Sequence, residues 1–258
     1  MKNLNEFNSK IEYVLTDIDD TMTSGGQLGS RAYSALWQLH DAGLKIIPIT
    51  GRPAGWCEMI ARFWPVAGVV GENGGFYFRY DQKMHRWFFY DDKTIKNNSS
   101  KLEEIKKEIL ASVPGSAVSS DQFCRLMDLA IDFCEDVTPL DKVAVEKIVR
   151  IFNQHGAHAK VSSIHVNGWF GDYDKVSTSF HFLKEQFGLS QSDMQKKCVF
   201  IGDSPNDEPM FAKFPISFGV ANINKFVDQM KSLPTYVTPS KGGDGFAEVA
   251  ACILKNRR

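Results

Sequence analysis

The sequence lacks an excess of charge of one sign, a long apolar run and a cysteine framework, and each absence excludes a class of protein. Lys and Arg number 30 against 31 Asp and Glu, so the formal net charge over 258 residues is −1. A chain this neutral has no electrostatic footprint for nucleic acid or an anionic membrane. No apolar run approaches the roughly 20 residues that span a bilayer. We therefore expect neither nucleic acid nor a membrane among the partners.

The five cysteines are scattered, and no two have CxxC spacing, so neither a zinc site nor a disulfide framework is indicated. The first ten residues are polar and lack the apolar segment of a signal peptide. The 20 glycines and 10 prolines show no period, which excludes collagen-like and low-complexity chains. We expect a reduced, cytoplasmic, globular protein.

Short apolar segments alternate with helical patterns towards both ends of the chain. Residues 13–16, 44–49 and 198–201 are apolar almost throughout, as buried parallel strands are. Segments with apolar residues at i, i+3, i+4 and i+7 lie between such strands and predict helices. This alternation predicts an α/β fold with a doubly wound, Rossmann-like parallel sheet.

The rhythm changes in the middle of the chain. Two aromatic strands are predicted at residues 76–80 and 86–90, and the order β-β-α-β-α-β-β follows from there. Such an order, with hairpin signals at its ends, favours an α+β insert with an antiparallel sheet. We predict a discontinuous core of residues 1–78 and 170–258, interrupted by an α+β domain of residues 79–169.

Three of the predicted strands end in polar clusters, which are Asp17-Ile18-Asp19-Asp20-Thr21, Thr50-Gly51-Arg52 and Gly202-Asp203. In an open parallel sheet, ligands bind at the carboxyl ends of the strands. If these strands are neighbours, Asp17, Asp19, Asp203 and Asp207 converge, and several close carboxylates cannot all stay ionised without a partner. Oxygen ligands without His or Cys suit a hard cation such as Mg²⁺.

At these residues the sequence resembles the haloacid dehalogenase superfamily. Its four motifs correspond, in order, to Asp17-x-Asp19-x-Thr21, Thr50, Lys175 and Gly202-Asp203-x-x-Asn206-Asp207. The resemblance covers residues 11–75 and 172–250. The insert falls between the second and third motifs, which is similar to members with a type II cap, including the Cof-type, sucrose-phosphate and trehalose-phosphate phosphatases.

The resemblance implies a role for each motif residue. Asp17 is implied as the nucleophile that forms an aspartyl phosphate, and Asp19 as general acid and then general base. Thr50 and Lys175 are implied to bind the phosphoryl oxygens. The implied ligands of Mg²⁺ are Asp17, the backbone carbonyl of Asp19 and Asp203, with Asp207 supporting through water.

Other candidates follow with less definite roles. Arg52 either contacts substrate or pairs with an acidic neighbour, and Asn206 is expected near Lys175 or the phosphate. Asp20 stands where many members of the superfamily have glycine, and we leave it out of the site. Candidates for contacts from the cap to the substrate are Arg79, Lys160, His165 and Asn167.

We therefore expect a Mg²⁺-dependent phosphoric monoester hydrolase that acts on a small phosphorylated metabolite, a sugar phosphate. One alternative is a phosphomutase of the same superfamily. Another is a non-enzymatic, phospho-accepting receiver or sensor, against which Asp19 and the insert argue. The sequence does not indicate the oligomeric state.

Overall fold

The computed structural model describes residues 1–162 and 164–257. The strands are β1 Lys2–Asn3, β2 Tyr13–Thr16, β3 Lys45–Pro48, β4 Val69–Gly71, β5 Phe76–Asp81, β6 Lys83–Phe88, β7 Ala117–Val118, β8 Asp128–Asp132, β9 His158–Val161, β10 His165–Trp169, β11 Cys198–Gly202, β12 Ser217–Gly219 and β13 Tyr236–Val237. The α-helices are α1 Ser30–Asp41, α2 Ala54–Phe63, α3 Asp92–Ser112, α4 Lys142–Gln154, α5 Lys175–Phe187, α6 Gln191–Lys197, α7 Glu208–Lys213 and α8 Gly242–Lys255. None of these helices is both long enough and apolar enough to cross a membrane.

The largest sheet has six strands in the order β1-β13-β12-β11-β2-β3, and every pairing in it is parallel. Strand β2 lies between β11 and β3, because Thr16 is in register with Ile201 of β11 on one side and with Pro48 of β3 on the other. The carboxyl ends of β2, β3 and β11 therefore meet at one edge. The predicted α/β fold class with a parallel sheet is confirmed.

Both faces of this sheet are covered, which explains its nearly continuous apolar strands. On one side, Val14 and Ile201 pack with residues of α1 and α8. On the other side, Leu15 and Phe200 pack with Phe182 of α5 and with other residues of that layer. Each such buried side chain contributes about 1.5–3 kcal/mol to folding.

Three helices start at residues whose side chains do not cap them. Gly29 is the N-cap of α1, Pro53 that of α2 and Lys241 that of α8. In each case the N-cap residue has extended backbone, and this backbone conformation defines the helix start.

The aromatic hairpin packs with the parallel-sheet unit. Strands β4, β5 and β6 form an antiparallel sheet, and the hairpin turn is tighter than expected because Gln82 alone connects its strands with a φ of 57°. Phe76 and Phe78 are buried with Val69 in the core that covers the parallel sheet. The predicted domain boundary after residue 78 falls inside β5, and the division into domains stays a prediction.

The inserted part of the chain forms a second unit, in which two helices pack on one face of a sheet. Strands β7, β8, β10 and β9 make a four-stranded antiparallel sheet, which we call the cap sheet. Helices α3 and α4 cover one face of it, where Ile131 and Val166 are buried with Ile105 and Phe152. Its other face is free to line a cavity above the parallel sheet.

Candidate active site

The first acidic motif directly follows β2, and the sheet ladder fixes where it begins. The Asp17 amide donates to the Ile201 carbonyl oxygen at 2.9 Å, so Asp17 leaves β2 beside the end of β11. The chain then turns sharply, because the amides of Met22 and Thr23 both donate to the Ile18 carbonyl oxygen. This turn places the two acidic residues of the motif at the carboxyl edge of the sheet.

Asp20 lies within this turn in the left-handed conformation, with a φ of 57°. Its amide donates to the hydroxyl of Thr23 at 3.0 Å. Glycine adopts such a φ at no steric cost, and Asp is among the residues that tolerate it. The backbone therefore gives a physical reason why glycine suits this position in the superfamily that the sequence resembles.

Three buried carboxylates converge at the edge of the sheet. Asp17, Asp203 and Asp207 each place a carboxylate oxygen within 4.8 Å of the other two. The Asp203 amide donates to Asp207 Oδ2 at 3.0 Å, and the Thr21 hydroxyl donates to Asp203 Oδ1 at 3.4 Å. Gly202 is required here, because a Cβ atom on it would lie 2.5 Å from Asp207 Oδ2.

Lys175 lies among these carboxylates. It is the first residue of α5, which Asp174 caps by accepting from the Ser177 amide. Its Nζ donates to Asp17 Oδ1 at 2.7 Å and to Asp207 Oδ1 at 3.1 Å. Burial lowers the pKa of the ammonium, but the two carboxylates outweigh burial and hold the pKa above its usual range. Lys175 is therefore a fixed positive charge beside Asp17.

Burial and proximity to one another disfavour the ionised forms of these carboxylates. Burial raises the pKa of Asp17 to about 8, although Lys175 opposes the rise. Burial, followed by the charges of Asp207 and Asp17, raises the pKa of Asp203 to about 9. Buried oxygen ligands this close suit a hard divalent cation, which would favour the ionised forms. The residues present therefore fit such a cation.

Asp19 points in a different direction from the three-carboxylate cluster. Both of its carboxylate oxygens accept from Arg52 Nε at 3.1 Å, and Oδ1 also accepts from Arg52 Nη2 at 2.8 Å. Arg52 is nearly buried and lies over the Trp56 ring at 4.5 Å. The sequence left two roles open for Arg52, contact with substrate or pairing with an acidic neighbour. The structure shows the pairing, with Asp19 as the neighbour.

The remaining motif residues lie nearby. Thr50 is fully buried at the end of β3, and its hydroxyl accepts from the Arg52 amide at 3.0 Å. Asn206 lines the cavity next to Asp203. The structure thus places every predicted site residue at one end of the sheet, although the carboxylate of Asp19 is not part of the cation cluster.

A cavity of about 560 Å³ lies above these residues. Its floor is formed by loops at the carboxyl edge of the parallel sheet and includes Asp17, Asp19 and Asp203. Its opposite wall comes from the inserted part and includes Lys160 and His165. We call these two parts the floor and the cap face. We define the cap face as Lys160, His165 and Asn167, which line this cavity, together with Trp169, which lines an adjoining cleft.

One sequence candidate for the cap face lies elsewhere. Arg79 donates to Gln186 Oε1 at 2.7 Å and to Asp81 Oδ2 at 2.6 Å, and it does not line the cavity. It belongs to β5, whose sheet packs beside the core rather than over the site. The expectation for Arg79 is wrong because the hairpin is not part of the cap sheet.

A buried ionic network connects floor and insert, and sequence reasoning missed it. Glu72 is fully buried, and its carboxylate accepts from the amides of Ala54, Leu126, Met127 and Asp128. Burial raises the pKa of Glu72, while Arg125 and the amide donors oppose that rise. Glu72 lies in the segment Gly71-Glu72-Asn73-Gly74-Gly75, whose composition is typical of a turn and gives no sign of a buried ionic contact.

Arg125 is the cationic part of the same network. It donates to the Gly51 carbonyl oxygen at 3.0 Å, to Asp128 Oδ1 at 3.0 Å and to Asp121 Oδ1 at 3.0 Å. The Gly51 contact is next to Arg52, so the network attaches the insert to the loop that holds Asp19. Asp121 and Asp128 are neighbours of Arg125 in the chain, but Gly51 is 74 residues away, and no spacing pattern connects the two segments.

Comparisons with known proteins were made against families, curated proteins and solved structures. No family model matches the chain. Phosphoglycolate phosphatase of Methanobrevibacter smithii is 26% identical over 243 residues, covering 92% of this chain and 96% of that protein. Phosphoglycolate phosphatase of Pyrobaculum neutrophilum is 26% identical over 246 residues, covering 93% and 95% respectively.

Solved structures share the fold over nearly the whole chain. A haloacid dehalogenase-like hydrolase from Bacteroides thetaiotaomicron has a TM-score of 0.69 at 16% identity, covering 95% of this chain and 100% of that one. The sucrose-phosphatase from Synechocystis, in complex with sucrose and phosphate, has a TM-score of 0.65 at 14% identity, covering 95% and 98%. The predicted resemblance to haloacid dehalogenase-like hydrolases and to phosphatases is confirmed.

Proposed function

We propose that this phosphatase of the haloacid dehalogenase superfamily hydrolyses a small phosphorylated metabolite, a sugar phosphate, with Mg²⁺ and through an aspartyl phosphate on Asp17. One observation supports the proposal above all. The Asp17 carboxylate is buried, lies 2.7 Å from Lys175 Nζ, belongs to a cluster with Asp203 and Asp207, and opens into the cavity. Phosphoryl transfer needs positioning and charge stabilisation at one point, and this arrangement supplies both.

In the first half-reaction an oxygen of Asp17 attacks phosphorus in line with the leaving oxygen. The new bond joins Asp17 to phosphorus, the bond from phosphorus to the leaving oxygen breaks, and its electron pair goes to that oxygen. Asp19 gives the leaving oxygen a proton. In the second half-reaction Asp19 takes a proton from water, the water oxygen attacks phosphorus, and the bond to Asp17 breaks to regenerate the carboxylate.

The residues that would hold Mg²⁺ are Asp17, Asp203 and Asp207. When bound, the ion supplies positive charge to the phosphoryl oxygens, which a buried aspartate would otherwise repel. Lys175 supplies a second positive charge from the protein itself. Arg52 fixes the orientation of Asp19 at the cavity wall and is a positioning residue in this proposal.

The cavity favours a substrate larger than a two-carbon acid. At about 560 Å³ it has the size of a typical small-molecule site, and a sugar phosphate would occupy much of it. Phosphoglycolate is the second candidate, because the curated relatives carry that name. We also propose that the partner is this small molecule alone and that the protein works in the cytoplasm.

The experiment compares the protein with its Asp17→Asn variant in the presence of Mg²⁺. Phosphate release from sugar phosphates, phosphoglycolate and p-nitrophenyl phosphate is measured without a bisphosphate activator. We expect Asp17→Asn to lower turnover by at least about 10³-fold while the melting temperature is kept. The control is Asp41→Asn, a highly exposed aspartate on α1 that we expect to be neutral.

Two outcomes would contradict the proposal. Undiminished turnover in Asp17→Asn would exclude Asp17 as the nucleophile. Isomerised sugar phosphate without inorganic phosphate would favour the phosphomutase alternative instead.

A further inference from the structure

The cap face follows from strand alternation. On β10, His165, Asn167 and Trp169 are two residues apart and so share one face of the cap sheet. Lys160 of β9 is in register with Asn167, which places it on the same face. The intervening Val166 belongs to the opposite face, where α3 and α4 cover it. Four polar or amphipathic side chains are therefore presented together to the cavity side.

Two polar atoms on the cap face have no hydrogen-bond partner. Among buried side-chain nitrogen and oxygen atoms of residues 1–162 and 164–257, only His165 Nε2 and Trp169 Nε1 are in this state. His165 Nε2 lies 2.9 Å from Glu135 Oε2, but without the geometry of a hydrogen bond. Buried polar groups are nearly always satisfied, so two exceptions on one face indicate a missing partner.

Lys160 also lacks a partner. Its ammonium group makes no hydrogen bond or ion pair with any residue that the structure describes, although its backbone pairs with β10. It lines both the main cavity and an adjoining cleft of about 70 Å³ that Lys175, Asn206 and Trp169 also line. Burial lowers the pKa of Lys160, and the nearby charge of Lys175 lowers it further.

The acidic groups near Lys160 are engaged elsewhere. Asp207 accepts from Lys175, and Asp174 caps α5. Glu208 accepts from the amides of Lys231 and Ser232. A half-buried ammonium without a counter-ion is unfavourable for folding, so its presence is explained if a ligand supplies the negative charge.

We propose that Lys160, together with His165 and Asn167, binds a second anionic group on the leaving alcohol of the substrate. The inference rests on the proposed phosphatase function and narrows its substrate class to phosphate esters that carry a carboxylate or a second phosphate. The transferring phosphoryl group already has Lys175 and the cation cluster, so the unpaired ammonium of Lys160 is available to a second anionic group of the same ligand. Neutral sugar phosphates are poorer substrates.

His165 and Asn167 complete the subsite by hydrogen bonding. Burial, followed by the charge of Arg125, lowers the pKa of His165 to about 4, so its ring is neutral near pH 7. A neutral ring presents one nitrogen as donor or acceptor to a hydroxyl group of the ligand. The Asn167 amide already donates to Asp128 Oδ2 at 2.9 Å, which fixes its orientation.

The experiment measures binding without turnover, in the Asp17→Asn background and with Mg²⁺. Calorimetry compares 6-phosphogluconate with sorbitol 6-phosphate, which have the same carbon chain and differ in the carboxylate. We expect the acid to bind at least about tenfold more tightly, and Lys160→Met to abolish this difference. Lys160→Arg should preserve it, and Lys142→Met, at a highly exposed lysine of α4, should not change it.

A second arm identifies the source of the anion and separates this inference from the proposed function. Fructose 1,6-bisphosphate is compared with fructose 6-phosphate in the same variants, so a preference confined to the bisphosphate assigns the subsite to a second phosphate. Equal weakening of every ligand by Lys160→Met would overturn the inference, because Lys160 would then contact the transferring phosphoryl group. An unchanged preference in Lys160→Met would overturn it as well. Phosphate release by the unmodified protein tests the proposed function independently.

Discussion

The floor and the cap face line the same cavity but differ in how their polar groups are paired. On the floor the polar groups pair with one another, as Lys175 does with Asp17 and Arg52 with Asp19. On the cap face Lys160, His165 Nε2 and Trp169 Nε1 lack hydrogen-bond partners among the residues that the structure describes. The difference indicates that the floor is organised before substrate arrives, whereas the cap face is completed by it.

Backbone strain, in contrast to unpaired side chains, is concentrated at the floor. Four non-glycine residues in the described ranges have positive φ, and three of them, Asp20, Glu72 and Asn73, lie in loops at the floor. A non-glycine residue in this region costs free energy that the surrounding contacts must offset. The floor thus combines satisfied side chains with a strained backbone, as expected where chemistry requires fixed geometry.

The largest effect should come from the charge pairing on the floor. Lys175→Met should lower kcat by about 10³-fold on every substrate, acidic or neutral, because the phosphoryl group loses its fixed positive charge. Steady-state kinetics with 6-phosphogluconate and p-nitrophenyl phosphate measures this, and Lys184→Met on the same helix is the control. A loss confined to one substrate would show that the floor also discriminates between leaving groups.

The next effect concerns the network that joins the two regions. Glu72→Gln removes an acceptor from the amides of Ala54 and of residues 126–128, and each buried donor left unsatisfied costs about 1–3 kcal/mol. We expect the free energy of unfolding in urea to fall by about 3 kcal/mol. Glu104→Gln on the exposed side of α3 should be neutral. Equal stability of the two variants would mean that the insert is held by other contacts.

A substitution at Arg52 tests whether this residue positions Asp19 or binds substrate. Arg52→Lys keeps the charge but loses the two-pronged contact with Asp19, so kcat should fall by about tenfold with little change in KM. The split between kcat and KM is the measurement. A rise in KM that depends on the leaving group would instead place Arg52 in contact with substrate.

The smallest effect should come from backbone strain. Asp20→Gly relieves the left-handed conformation but increases the entropy of the unfolded chain, so the net gain in stability should be about 0.5 kcal/mol. Asp20→Asn keeps the side chain and removes the charge, and thermal unfolding of both variants separates the backbone contribution from the electrostatic one. Stabilisation by Asp20→Asn alone would attribute the effect to the charge.

The sequence predicted the parts of the fold and site that depend on local pattern. Strand β2 has the bounds expected, Tyr13–Thr16, because a short apolar segment ends abruptly at an acidic cluster. Parallel pairing of β2, β3 and β11 then brings their ends together. The meeting of Asp17 and Asp203 was therefore predictable from the strand ends, whereas the place of Lys175 beside them followed only from the resemblance to the superfamily.

Other features depend on contacts between distant segments and could not be predicted. Glu72 meets the amides of residues 126–128 only because the insert folds back over the floor. The hairpin of β5 and β6 joins the core through burial of Phe76 and Phe78, whereas its place in the sequence suggested the insert. Contacts between segments that are far apart in the chain leave no periodic pattern in the sequence.

The connection from the insert back into the core has a practical consequence. Lys175 follows the insert almost directly. The segment before it is held at two points. The Tyr173 hydroxyl donates to the Met127 carbonyl oxygen at 3.2 Å, and Asp174 packs so closely on Gly74 that a Cβ on Gly74 would lie 2.2 Å from the Asp174 carbonyl oxygen. The side chain of Lys175 is thus positioned by the segment that leaves the insert and not by α5 alone. A chimera in which another cap replaces the insert has to retain residues 172–174 and their packing against Gly74. Without them, Lys175 would be displaced when the cap is exchanged.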